Sequence, residues 1–87
     1  VRITARTSYD VVFQDRIADD ERCLGLCDFD KRTIYLASRL SETERLKTFI
    51  HECLHAISAE HGFELPHRTV YALEESLVKF LKLNRWV

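Results

Sequence analysis

The segment His51-Glu52-Cys53-Leu54-His55 sets two imidazoles four residues apart, with a carboxylate next to the first. On a helix, side chains at that spacing stand one turn apart on one face. Two ring nitrogens so placed can reach one tetrahedral Zn2+. Glu52 is turned about 100° from His51 around the helix, too far to be a natural third ligand. It can still reach a water held by the metal and take its proton, which is the chemistry of metal-assisted hydrolysis. A three-position motif also arises by chance in charged amphipathic helices. Against chance, the two histidines lie beside the apolar stripe Leu46, Ile50, Cys53 and Ile57, not within it, so they point toward a neighbouring element or a cleft.

Two histidines do not complete a zinc site, and the third donor decides its kind. His61 gives H-x3-H-x5-H, the spacing of metzincin peptidases and of a family of metal-dependent RNA-maturation endonucleases. That geometry needs a chain reversal between the second and third histidine. Ser58 occupies the place where a glycine would allow one, and Gly62 comes after His61, so the helix is expected to carry His61 away from the other two rings. Glu74 and Glu75 are the other candidates. Advancing about 100° per residue from Val70, Glu74 falls inside the stripe of Leu73, Leu77 and Leu81, and Glu75 falls beside Lys79 and Lys82. A carboxylate on a buried stripe is costly unless it is paired or bound to a metal, so Glu74 is the expected third ligand. The plain alternative is an ion pair with Arg45 or Arg68. His67 and Tyr71 share nearly the same flank as Glu74, where a cation or a phenol could stabilise the oxyanion formed when water attacks an amide. Either could also be an ordinary surface or core residue.

These side chains need elements to hold them. Ser41-Glu42-Thr43-Glu44 has the form of a capping box. The apolar spacing of Leu46, Phe49, Ile50, Cys53, Leu54 and Ile57 then predicts a helix over roughly 42–61, ended by Gly62. After Pro66, Val70, Leu73, Leu77, Phe80 and Leu81 predict a second helix, with Val70, Leu73, Leu77 and Leu81 as its inward stripe. Upstream, Tyr9–Phe13 and Thr33–Ala37 read as strands, and Cys23–Cys27 leads through Asp28-Phe29-Asp30-Lys31 into the latter as a hairpin. The fold class expected is α+β: a small three-stranded, mostly antiparallel sheet followed by two helices, with zinc between the helices, in one domain over 1–87. The strand around Ile34–Leu36, placed at the sheet edge, would hold an extended peptide by backbone pairing. Cys23 and Cys27 are small strand residues in this reading, and Cys53 is a core thiol.

With His51, Glu52, His55 and Glu74 in place, the sequence resembles the gluzincins, zincins that combine HExxH with a glutamate from a following helix. It is particularly similar to the minimal domains of that class, including short proteins of phage and prophage type. The resemblance covers nearly the whole chain: a Gly-containing hairpin strand, the strand Arg32-Thr33-Ile34-Tyr35-Leu36, the helix Thr48–His55 and a later helix with Leu73-Glu74. It implies a zincin-like fold and a Zn2+-dependent peptidase acting on peptides or proteins. One departure stands out. Thermolysin-type relatives carry an Asp four residues after the ligand Glu to buttress a zinc-binding His, and here Val78 and Lys79 occupy the corresponding places.

Composition narrows the alternatives. The 87 residues include 13 Lys and Arg against 14 Asp and Glu, a net charge of −1, so no general field favours nucleic acid or anionic lipid. No apolar run is long enough for a membrane span, and no secretory signal is evident. A cytoplasmic location is the expectation. Three cysteines are an odd count for a disulfide framework, and a chain this short needs a staple, for which a metal is the better explanation. Two rival functions remain. One is an endoribonuclease using His51, His55 and His61. The other is a non-catalytic regulatory or binding domain that keeps zinc for folding.

Overall fold

The computed structural model describes all 87 residues as three strands and two helices. They are β1 (Asp10–Gln14), β2 (Gly25–Asp28), β3 (Thr33–Ala37), α1 (Glu42–His61) and α2 (His67–Leu83). This is a compact, zincin-like α+β arrangement. The sheet order is β1-β3-β2. The β2–β3 hairpin closes where the sequence signals it, with Asp28 Oδ1 accepting the Lys31 N–H at 3.0 Å, and pairs Gly25 with Leu36 and Asp28 with Thr33.

Two expectations about the sheet need correction. β1 pairs parallel with β3, Asp10 opposite Thr33 and Gln14 opposite Ala37, so the sheet is mixed and not mostly antiparallel. The cause is the connection. Residues 15–24 carry the chain across the C-terminal end of β3, where Ser38 Oγ donates to Asp15 Oδ1 and Ala37 N–H donates to the Leu24 carbonyl. β2 therefore starts at the end of the sheet where β1 stops, and β3 returns in the direction of β1. A reversal within this connection places Ala18 and Asp19 at φ 54° between the bridged residues Ile17 and Asp20. The second correction follows from the order: β3 is the central strand, paired on both sides, so Ile34–Leu36 cannot receive a peptide. The edge strands are β1 and β2.

Side-chain alternation decides what α1 covers. The rows Val11–Ile34–Cys27 and Phe13–Leu36–Gly25 face the helix, and the row Val12–Tyr35–Leu26 faces the other way. Tyr9, Ile34, Leu36 and Ala56 form the main buried cluster, joined by Phe49 and Cys53 from α1. A smaller cluster of Ile17, Ala37 and Leu40 sits where the connection crosses the sheet. Tyr9 also ties the end of α1 to the sheet. Its hydroxyl donates to Glu60 Oε2 at 2.9 Å, and Arg32 pairs with Glu60 Oε1 at 3.3 Å.

The helix boundaries follow from the capping chemistry. Ser41 Oγ accepts the Glu44 N–H, Glu44 Oε1 accepts the Ser41 N–H, and Gly62 closes α1 at φ 71° with its N–H on the Ser58 carbonyl. α2 packs on α1 along a narrow row, Val70, Glu74 and Val78. The inward set predicted for α2 is corrected here as well. Leu77 is 36% exposed, because a helix that meets a single neighbouring helix buries one ridge and leaves its flanks in water. No helix is long and apolar enough to cross a membrane.

Candidate metal centre

α1 lies between the sheet and α2, and adjacent residues of its motif serve different neighbours. His51 and His55 turn toward α2, and their Nε2 atoms stand 3.1 Å apart. His67, in the first turn of α2, brings its ring to 4.9 Å from that of His55 and 6.0 Å from that of His51, centroid to centroid. One nitrogen from each of His51, His55 and His67 lies within 4.8 Å of the others. On the opposite edge of the His51 ring, Nδ1 donates to Glu74 Oε2 at 2.8 Å. That bond commits the proton of His51 to Nδ1 and leaves the Nε2 lone pair facing the other rings.

Ring nitrogens that converge in this way suit Zn2+. Burial acts in the same direction. Desolvation first, then the neighbouring His51 and His67, pushes the His55 pKa below its ordinary value, so its ring is held neutral with a lone pair to give. The three converging imidazoles therefore fit the ion and form a Zn2+-binding site.

Glu52 faces the sheet side of the cleft. It is buried, and burial, reinforced by the charge of Glu74 and opposed by His51, raises its pKa above the usual carboxylate value. Gly25 makes room for it. A Cβ at that position would lie 2.6 Å from Thr48 Cγ2 and 3.1 Å from Glu52 Oε2, so only glycine lets β2 approach α1 this closely. A cleft of about 430 Å3 opens beside these groups and is lined by Leu24, Gly25, Thr48, His51, Glu52, Tyr71 and Glu74, with Arg22, Glu44 and Lys47 toward one end.

Each candidate read from the sequence has a definite place. His51, Glu52, Glu74 and Tyr71 line one cleft, and the His55 and His67 rings adjoin His51. Tyr71 is 57% exposed, with its ring 5.1 Å from that of His51. Glu74 is buried and takes His51 as its partner in place of Arg45 or Arg68. Glu75 is exposed and pairs with Lys79. His61 is outside the cluster, stacked loosely near Phe63 beyond the last turn of α1. All three cysteines are free, and burial is the main cause that raises the Cys27 thiol to about 12 and the Cys53 thiol to about 11, so neither is a ready thiolate.

The residues that sequence reading missed are Gly25 and the cleft neighbours Thr48, Lys47 and Arg22. Gly25 did carry a signal, since an isolated glycine within a strand marks a close backbone approach. Comparison with protein-family models, with curated proteins and with solved structures returned no match. The site itself carries the likeness: HExxH on one helix, joined by a further donor from the next, matches the gluzincin-type pattern of zinc site.

Proposed function

We propose that the chain is a zinc-dependent peptidase, with His51, His55 and Glu74 as metal ligands and Glu52 as general base. The observation that carries this reading is a buried carboxylate, Glu52, next in sequence to His51 and lining the same cleft as that histidine. A carboxylate so placed is within reach of the proton of a water held at the histidines. Zinc, when bound, supplies a Lewis acid and lowers the pKa of water. Glu52 then accepts the proton of the attacking water on its carboxylate and delivers it to the leaving amine. In this reading Tyr71 Oη and His67 donate hydrogen bonds to the carbonyl oxygen as it gains charge.

β2 supports a peptide substrate over a compact one. Because Leu24 and Ala37 share a ladder hydrogen bond, alternation along an antiparallel pair turns the backbone groups of Gly25 and Cys27 to the free edge beside the cleft. An extended peptide can add there as a fourth strand.

A second reading of the ligands has its own observation. The three ring nitrogens converge, and Glu74 meets His51 at Nδ1, away from the nitrogen shared with His55. In that reading His67 is the third ligand and Glu74 orients His51, supplying the buttress that Val78 and Lys79 do not.

Glu52→Gln tests the activity. The amide keeps the shape and loses the base, so zinc content and fold should be retained while cleavage of a mixed peptide library falls at least about a hundredfold. Undiminished cleavage would assign the chemistry to another group.

A further inference from the structure

One end of the cleft has an electrostatic character that the hydrolytic site does not require. Lys47 stands one turn before His51 on α1, and Arg22 reaches the same end from the connection that leads into β2; both line the cleft. Three carboxylates share it, and each is already engaged or enclosed. Glu74 takes the His51 N–H, Glu52 is buried against Gly25, and Glu44 Oε1 is committed to the Ser41 N–H and hydroxyl of the capping box. The cations are free by comparison. Lys47 makes no ion pair, and Arg22 reaches only its near neighbour Asp20, at 3.6 Å with the guanidinium side chain 92% exposed. Leu24 and Thr48 line the same cleft and offer an apolar surface for methylenes and a hydroxyl.

Resting on the peptidase reading, we propose that Lys47 and Arg22 form a subsite for a carboxylate side chain of the substrate, which makes acidic peptides the preferred class. Position along the substrate follows from geometry. Lys47 is displaced about 6 Å along α1 from His51, and an extended chain rises about 3.4 Å per residue. The acidic residue is therefore one or two positions from the scissile bond. A lone phosphate-binding surface is a poorer fit, because two cations beside three carboxylates do not make the continuous basic track that a polyanion needs.

The test uses zinc-loaded Glu52→Gln protein, which binds without turnover, and fluorescent peptides carrying Asp, Asn or Lys at each of the three positions on either side of the centre. At low salt, Asp at one of the two positions nearest the centre on one side should bind about tenfold more tightly than Lys there. Lys47→Glu combined with Arg22→Glu should reverse the order, and Lys47→Gln should flatten it, with melting temperature and zinc content monitored throughout. Binding that ignores charge at every position would overturn the subsite and leave the peptidase reading intact. Preference for Asp that survives both Lys47 variants would assign recognition to other groups and overturn it equally. If no peptide binds and the wild-type protein cleaves none, the peptidase reading falls and the subsite falls with it.

Discussion

Glu74 and His67 compete for one role, and their surroundings differ. Glu74 is buried in the row that α2 presses on α1, a place where a carboxylate without a cation is costly. His67 is exposed in the first turn of α2, yet its nitrogen joins the other two rings. Zinc competition against a chromogenic chelator at one pH separates them. With Glu74 as ligand, Glu74→Gln weakens zinc affinity by about a hundredfold or more and His67→Ala by much less; orienting partners cost about 10- to 100-fold. The opposite order makes His67 the third ligand. Glu75→Ala and His61→Ala should leave affinity nearly unchanged, because one side chain pairs with Lys79 in solvent and the other lies beyond the cluster.

At the scale of elements, the site depends on how closely β2 meets α1, and Gly25 sets that distance. Gly25→Ala forces Thr48 and Glu52 to give way; overpacking of this kind costs about 1–3 kcal/mol. Thr48→Ser removes the nearer clash and leaves the one with Glu52. The double variant should recover most of the lost melting temperature while peptide cleavage stays low, as measured by thermal unfolding and by turnover at saturating peptide. Recovery of both would show that only backbone spacing mattered.

The helices were legible because their signals are local. The Ser41–Glu44 box and Gly62 mark both ends of α1 within one turn of chain each, and the hairpin from Cys27 to Thr33 is closed by the Asp28 side chain. The parallel pairing of β1 was not legible, since it depends on where residues 15–24 cross the sheet. The reversal there uses Ala18 and Asp19 in the left-handed region, where glycine or asparagine would have announced it. Periodicity gave α2 an apolar face wider than the one it buries, because a repeat of 3.6 says which residues share a side and not how much of that side meets a partner. Spacing put His67 on the flank of Glu74, but how near its ring comes to His51 and His55 is set by the turn over residues 62–66 and the docking of α2, which leave no mark in spacing.

The whole molecule has little to hold it together apart from the site. Only 12 of 87 residues are buried, seven of them in two small clusters, and Leu83, Trp86 and Val87 remain exposed beyond or at the end of α2. The row that joins α2 to α1 has Glu74 at its centre, so the charge on the docking surface is balanced by the same groups that face zinc. Binding free energy at such a site is partly folding free energy. Removing zinc should therefore lower the melting temperature, and returning it in excess over its dissociation constant should raise it by mass action, with about 2.7 kcal/mol gained at a hundredfold excess. Scanning calorimetry with and without chelator measures this directly. An unchanged transition would separate the metal from the stability of the fold.

The position of β3 between two open edges has a consequence for behaviour in concentrated solution. An unpaired edge templates any extended chain, including a neighbouring copy or an unfolded one. On β2 that edge is also the rim of the cleft, so self-association and the proposed peptide binding would draw on the same backbone groups. Crowding the molecules together would thus act as competitive inhibition, and each bound peptide would shield its host from aggregation for as long as it stayed.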